Sequence, residues 1–466
     1  MFTKFKKNYI DNNRYIFIIV SILFGLCFIV QKTHGDDFGP LHSVTPFNFI
    51  NIIKLALLRS GYTFNRLLAY CTCIFFNSAP VWVFVIGMSI AMYILLNSLR
   101  EMFSKDHEDE KYLNVFIAFM VLTYSYSDMA SAGWIITSTM HFFLIASAFT
   151  SLIAIKKVYY NQKISLAELF IYIATLIYTS SMEQGMAFML VIYVLCTIYF
   201  IYTKRCKKEM IVLCLISIVC AINTVYCRLG SSRIDIDIIK YFPTIGMINI
   251  VNKLDIGLFS TLYWLFFEKH FFTIIIYMVI TLLIFIKRKN IYLKIASIFP
   301  IFSIIFLNKY MAMNTDVNAF EITAIEHGTS NFGLFNIASV YNVNSYIQYF
   351  IYCFMIIVTI VEIYSLINDK DVLFFIGIIL LAGMGSRMAM ALTPDVFVSH
   401  FRTCIYLAFS IIVICITVFK SNINCINIKI KELMNYIFVM CIPILLAYIF
   451  VYVYNYMGQS IFELFK

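Results

Sequence analysis

Residues 15–31 read YIFIIVSILFGLCFIVQ, and this apolar run follows the basic residues Lys4, Lys6, Lys7 and Arg14. A helix of this length crosses most of a hydrocarbon layer about 30 Å thick. Basic flanks stay on the cytoplasmic side of a membrane, so the run predicts a first span with its N-terminus inside. No small-residue cleavage site follows it, which favours a retained anchor over a cleaved signal peptide.

The rest of the chain is also unusually apolar. Hydrophobic residues make up 62% of its 466 positions and charged residues only 13%, whereas soluble domains average about 45–50% and 25%. We therefore predict an all-α polytopic membrane protein, with residues 1–466 forming a single integral membrane domain of about thirteen transmembrane helices. The predicted spans are residues 15–31, 80–98, 113–127, 134–155, 166–181, 185–203, 210–227, 271–286, 291–307, 346–367, 372–391, 402–419 and 434–455.

Basic residues concentrate in the short connections on one side of these spans, most clearly at 204–208 and 287–289. This distribution predicts that the N-terminus and the short connections are cytoplasmic. The net charge of +10 is then explained by topology and by attraction to lipid headgroups, and it does not indicate nucleic-acid binding.

The long connections, residues 32–79, 228–270 and 308–345, fall on the outer side. Apolar residues recur at helical spacing from Phe47 to Tyr70, which predicts a helix lying in the membrane interface. Residues 244–268 have a similar pattern and suggest a second interfacial or re-entrant segment. We expect the working surface of the protein on this side.

Two adjacent carboxylates, Asp36 and Asp37, follow the first span directly. Neighbouring carboxylates repel each other, and little nearby in the sequence neutralises them. They suggest a reactive or ligand-binding site at the outer surface, although two aspartates that only cap and solvate a loop would give the same pattern.

Further polar side chains cluster at the outer ends of the predicted spans. A carboxylate can take a proton from an attacking hydroxyl, and arginine can bind a phosphate through two hydrogen bonds. Each residue has a plainer alternative as a solvated turn, a packing residue, or a contact to lipid headgroups. The candidates for substrate binding are Arg66, Asp128, Trp134, His141, Glu183, Arg233 and Arg402.

The order of these elements resembles a family of bacterial multi-spanning proteins with a GT-C-like layout. They are similar to the Gtr-type serotype-converting O-antigen glucosyltransferases. Two elements depart from the family pattern. The element Trp134-Ile135-Ile136-Thr137 matches imperfectly, and Met182 replaces an expected asparagine before Glu183. The matching elements are Gly35-Asp36-Asp37, Ser60-Gly61-Tyr62 with Arg66, Trp134-Ile135-Ile136-Thr137, Glu183, Gly230 with Arg233, and Pro394 with Arg402.

The resemblance implies an inverting sugar transfer on the periplasmic side of the bacterial inner membrane. The donor would be a polyprenyl-phosphate sugar, glucose in this family, and the acceptor a lipid-linked O-antigen or another surface glycan. Asp36 or Asp37 would act as general base, and Arg233 and Arg402 would stabilise the departing phosphate. No cofactor or metal is expected, although His34 and His42 leave a divalent cation open.

Two alternatives stay open. An O-antigen polymerase or ligase is another many-span enzyme with long outer loops. A lipid-linked sugar flippase or transporter would be expected to carry charged residues within its spans, where Glu362 and Arg387 are the few candidates. The sequence contains no glycine-rich phosphate loop, HExxH zinc motif or nucleophile elbow, and its 13 cysteines show no disulfide or zinc framework.

Overall fold

The chain folds into apolar helices, and the part of it that the computed structural model describes contains no strand. This agrees with the predicted all-α class. The structure describes residues 13–31, 37, 48–60, 66–103, 110–229, 238–239, 245–246, 248–313, 343–394 and 399–457.

Contacts between helices divide the chain into two compact units. The first comprises Met1–Gly230 with Ile428–Lys466. Its helices are α1 (Tyr15–Leu26), α2 (Phe49–Arg59), α3 (Leu67–Ser78), α4 (Val81–Phe103), α5 (Glu110–Leu122), α6 (Trp134–Thr137), α7 (Phe143–Tyr159), α8 (Leu166–Thr179), α9 (Glu183–Tyr202), α10 (Lys208–Leu229) and α17 (Ile428–Met457). Within this unit α1 packs on α4, α4 on α7, α7 on α8, and α5 on α17.

The second unit comprises Ser231–Asn427. The helices of this unit are α11 (Ile250–Tyr263), α12 (His270–Lys287), α13 (Ile291–Met313), α14 (Val343–Leu366), α15 (Lys370–Met388) and α16 (Ile405–Asn422). Helix α16 packs against α12 and α15 and is buried along nearly its whole length, as expected for a helix that is apolar on every side.

Among the described residues, ten helices are long and apolar enough to cross a membrane, judged by length and composition. The chain is therefore a multi-pass membrane protein. Nine of the ten coincide with predicted spans, and the tenth is Ile250–Glu268, where the sequence suggests an interfacial or re-entrant segment. The other four predicted spans fall on α1, α5, α8 and α14, and the total of thirteen stays a prediction.

The predicted interfacial helix from Phe47 to Tyr70 consists of two helices, α2 and α3. The first ends at Arg59. The second begins after Arg66, whose φ of 61° is left-handed. A right-handed helix cannot continue through such a residue, so the local conformation of Arg66 separates the two helices. Residues 61–65 and most of the predicted loop 308–345 lie outside the described residues.

Polar side chains at the helix starts fix several helix boundaries. Asn48, Asn249 and Asp369 each accept a backbone N–H of the following turn, at 3.1, 2.8 and 2.8 Å. Ser165 and Glu168 form a reciprocal capping box at the start of α8. Such caps satisfy N–H groups that have no partner within the helix.

Small residues allow α1 and α4 to pack closely. A Cβ placed on Gly25 would lie 1.9 Å from the Ser89 Oγ and 2.5 Å from the carbonyl oxygen of Val85. Small residues at such contacts are typical of helix pairs in membranes, where close van der Waals packing replaces hydrophobic burial. Gly25 therefore determines how near α1 can come to α4.

We predict that Gly25→Ala lowers the free energy of unfolding by about 1–3 kcal/mol, because a methyl group there overlaps a backbone oxygen. Gly377→Ala is the matched control, since a Cβ at that helical glycine meets no atom within 4 Å. Thermal unfolding of the purified protein in detergent measures both. Equal midpoints for the two variants would contradict the packing described for α1 and α4.

Candidate functional site

The chain between α5 and α7 departs from regular α-helix. It contains a 3₁₀ turn at Tyr126–Ala130, the short α6 and a π turn at Ser138–Phe142. Gly133 precedes α6 with a φ of 123°, a conformation that favours glycine. Most of this segment is buried. Irregular backbone at membrane depth is tolerated only inside protein or against a water-filled cavity, and π turns are frequent at functional sites.

Asp37 is bound to the start of α6. Its side chain is fully buried, and its Oδ1 accepts the backbone N–H of Ile136 at 3.1 Å. The Nδ2 of Asn77 donates to the Asp37 carbonyl oxygen at 2.8 Å. Gly133 has no side chain that could cap α6, so a residue almost one hundred positions earlier in the chain supplies the cap. A carboxylate is also favoured at the positive end of the helix dipole.

Several buried polar atoms at this junction have no hydrogen-bond partner among the residues that the structure describes. They are the Oδ1 of Asn77, the Oγ1 of Thr137 and the Oγ of Ser138. Asn77 binds the Asp37 backbone, and the two hydroxyls follow Ile136 directly in the chain. Buried polar groups in native proteins are nearly always hydrogen-bonded. The junction therefore has the chemistry to bind water or a polar ligand beside Asp37.

Three more predicted site residues lie on the same irregular segment, and all are buried. Asp128 is in the 3₁₀ turn, and His141 is in the π turn. Trp134 begins α6, with its ring 5.4 Å from that of Phe28 and 6.3 Å from that of Tyr452. The Trp134 ring is therefore part of the aromatic core of the first unit.

Arg66 and Glu183 form a bidentate ion pair. The Nε of Arg66 donates to Oε1 of Glu183 at 3.0 Å, and its Nη2 donates to Oε2 at 2.9 Å. The Arg66 backbone N–H also donates to the carbonyl oxygen of Ser181 at 2.9 Å. Burial lowers the pKa of Arg66, but the adjacent Glu183 carboxylate raises that pKa above its usual range overall. The pair joins the start of α3 to the turn before α9.

The ion pair and Asp37 lie at opposite ends of α3. Arg66 precedes the first residue of this helix, and Asn77, which binds Asp37, lies near its end. Their separation of eleven positions corresponds to about 16 Å at 1.5 Å per residue. The fold thus brings Arg66 and Glu183 into contact with each other. The irregular segment with Asp37 is a different site, at the other end of α3. Substrate-binding roles for the pair stay predictions.

The remaining predicted residues lie either outside the described residues or in the second unit. Asp36, His34, His42 and Arg233 lie outside the described residues. Arg402 is half-buried in a 3₁₀ turn, His400–Cys404, that precedes α16 in the second unit. Over the described ranges, no three His, Cys, Asp or Glu side chains are grouped so that they could hold a metal ion.

Sequence reasoning assigned no role to Asn77 or Ser138, and it included Thr137 only as the last residue of the Trp134-Ile135-Ile136-Thr137 element. The signal that could have identified Asn77 is an amide side chain in a largely apolar helix, since buried amides require partners. Thr137 and Ser138 lie in a predicted span, where hydroxyl side chains usually bond to the backbone one turn earlier. Thr139 does this, with its Oγ1 2.7 Å from the Ile135 carbonyl oxygen. The Thr137 and Ser138 hydroxyls have no such partner among the described residues.

Comparisons with known proteins do not assign this site. No protein-family model matches the chain, and searches of curated proteins and of solved structures find no similar protein. The family resemblance therefore stays a prediction, and a functional inference has to depend on the geometry described above.

We predict that Glu183→Gln lowers the free energy of unfolding by about 3 kcal/mol, because it leaves the Arg66 charge without its partner. Both side chains are mostly buried, at 21% and 15% exposed. Glu101→Gln is the control, since that carboxylate is 42% exposed in its pair with Arg100 and should contribute less than about 1 kcal/mol. Denaturant unfolding of both variants measures the difference.

A double-mutant cycle with Arg66→Gln completes this test. The double variant should be more stable than the sum of the two single losses implies, because two neutral amides leave no unpaired charge. Strictly additive losses would show that Arg66 and Glu183 do not stabilise each other.

Proposed function

We propose that the chain is a membrane glycosyltransferase that moves a sugar from a polyprenyl-phosphate donor to a lipid-linked glycan. Glucose and an O-antigen acceptor are the choices that the motif resemblance implies. The observation that carries the proposal is the buried Asp37 carboxylate, which the Ile136 amide binds at the start of α6. A general base has to be oriented toward its substrate, and this hydrogen bond fixes one oxygen of the carboxyl group.

The proposed reaction is a single displacement. The acceptor hydroxyl attacks the anomeric carbon of the sugar, and the bond from that carbon to the phosphate oxygen breaks with inversion. The hydroxyl proton passes to the carboxylate of Asp37, or to Asp36 in the alternative assignment. The electron pair of the broken bond remains on the departing polyprenyl phosphate, for which the motif resemblance implies arginine donors.

The chemistry around Asp37 supports this assignment. The Thr137 and Ser138 hydroxyls and the Asn77 amide oxygen have no partner among the described residues, and such groups can bind sugar hydroxyls. Enclosure in protein also strengthens electrostatic interactions with the developing charge. Trp134, His141 and Asp128 belong to the same buried segment, which makes them candidate positioning residues for the substrate.

The proposal also specifies the membrane in which the protein lies and the side of that membrane on which the reaction takes place. Many apolar helices suit a donor whose isoprenoid chain lies in lipid. We place the protein in the bacterial inner membrane, with the N-terminus in the cytoplasm and Asp37 at the periplasmic face, because basic residues flank the other ends of the spans.

One observation favours a transporter as the second candidate. Glu362 lies within α14 and is fully buried, and neither of its carboxyl oxygens has a partner among the described residues. It shares a face with Thr359, whose hydroxyl is 2.8 Å from the Tyr277 hydroxyl. Buried acids within spans often carry protons or coupling ions in pumps and transporters, and the transferase mechanism assigns Glu362 no role.

We predict that Asp37→Asn abolishes sugar addition, with a loss of at least about 100-fold, while protein levels in the membrane stay normal. Asparagine caps helices as well as aspartate does but cannot accept the proton. The readout is sugar incorporation into the lipid-linked glycan. Asp369→Asn is the matched control, because Asp369 also accepts backbone N–H groups at a helix start, and this variant should remain active.

Asp36→Asn, measured in parallel, separates the two assignments of the base. Loss of activity only in this variant would transfer the role to Asp36. Full activity in both variants would end the transferase proposal, as would a change in glycan chain length without a change in sugar composition.

Glu362→Gln distinguishes the two candidate functions. We expect normal sugar transfer and unchanged stability, because an amide of similar shape replaces a buried carboxyl group that binds no described residue. Glu432→Gln, at an exposed position, controls for expression. A variant that is stable and well expressed but inactive would favour the transporter.

A further inference from the structure

Arg387 is a fully buried arginine near the end of α15. Its side chain is 1% exposed, and its Nε and Nη1 have no hydrogen-bond partner among the residues that the structure describes. Its Nη2 donates to the Oγ of Ser260 on α11 at 3.1 Å. Within the part of the chain that the structure describes, Arg387 forms no ion pair. By contrast, the buried Arg66 is fully engaged by Glu183.

Local packing holds this guanidinium in place. The Ser260 hydroxyl donates to the Gly257 carbonyl oxygen at 3.1 Å, so its oxygen is the acceptor for Arg387. A Cβ on Gly257 would lie 2.5 Å from the Cβ of Ala391, which means that this glycine lets α11 approach the turn after α15. Gly257 and Ser260 together position Arg387, and the contact to Ser260 leaves most of its donors unused.

The chemistry of arginine identifies the missing partner as an anion. A guanidinium keeps its proton in proteins and has five N–H donors in one plane. Burying such a charge without a partner is costly, and proteins avoid it unless a counter-charge is bound. The C-terminal end of α15 favours a cation, but no carbonyl oxygen of the described residues accepts from Nε or Nη1. Phosphate oxygens match this planar set of donors best.

The position of Arg387 along its helix indicates a lipid as the source of that phosphate. Lys370–Leu392 is an apolar segment of 23 residues, long enough to cross a membrane. Arg387 lies about 26 Å along it at 1.5 Å per residue, close to the level at which the hydrocarbon layer gives way to headgroups. Phosphates of membrane lipids lie at this level.

We infer that Arg387, positioned by Ser260, binds the phosphate group of a membrane lipid. The site lies within the second unit. The inference does not rest on the transferase proposal, because its observations concern Arg387 and its own contacts. If the transferase proposal holds, polyprenyl phosphate is one lipid of the class that this site takes.

The test measures binding to the full-length protein in a zwitterionic detergent by isothermal calorimetry. The probes are farnesyl phosphate, farnesol with the same tail and no phosphate, and inorganic phosphate with no tail. We expect saturable binding of farnesyl phosphate and much weaker binding of the other two. Arg387→Gln should weaken farnesyl phosphate binding by about tenfold or more, because charged hydrogen bonds to the phosphate are lost.

Two further variants make the result independent of a folding defect in Arg387→Gln. Ser260→Ala and Arg387→Lys retain the positive charge and should each weaken binding several-fold, because the planar fork is misplaced or absent. Arg288→Gln, which removes a half-buried arginine from the same unit, should bind as the wild type does. Equal affinity for farnesol or for inorganic phosphate would overturn the inference, as would unchanged binding in all three site variants.

Discussion

The structure depends on how backbone N–H groups are satisfied where the chain leaves regular helix inside the membrane region. The Asp37 carboxylate accepts the Ile136 N–H at the start of α6, and Gly133 allows the turn that precedes it. Water is scarce at membrane depth, so such groups need partners from the protein. This one contact ties the segment after α1 to the irregular segment between α5 and α7, and it fixes the position of the candidate base.

Much of the helical framework could be predicted from the sequence, because apolar length and basic flanks are local properties. The predicted spans fall on helices. The stretch from Phe47 to Tyr70 differs from the single helix that was predicted, because Arg66 has a left-handed backbone conformation and divides it. Hydrophobic periodicity carries no information about the φ angle of one residue. The tie between Asp37 and α6 was not predictable either. Its partner is a backbone N–H, which every residue except proline has, so no side chain signals it.

The buried charges divide into two kinds. Arg66 and Glu183 form an ion pair through two charged hydrogen bonds, and we expect this pair to contribute to stability. Arg387 and Glu362 are buried more deeply, and most of the polar atoms of their charged groups have no partner in the described chain. Unsatisfied buried charges reduce stability, so we interpret Arg387 as a functional position and Glu362 as the position that distinguishes the two candidate functions.

The most direct test of this account is a cryo-EM map of the protein in lipid nanodiscs, examined at Asp37. We expect density for its carboxylate enclosed by protein, within hydrogen-bond distance of the Ile136 nitrogen and with the Asn77 amide on its carbonyl oxygen. A map in which Asp37 extends into solvent, while another group caps α6, would contradict the account.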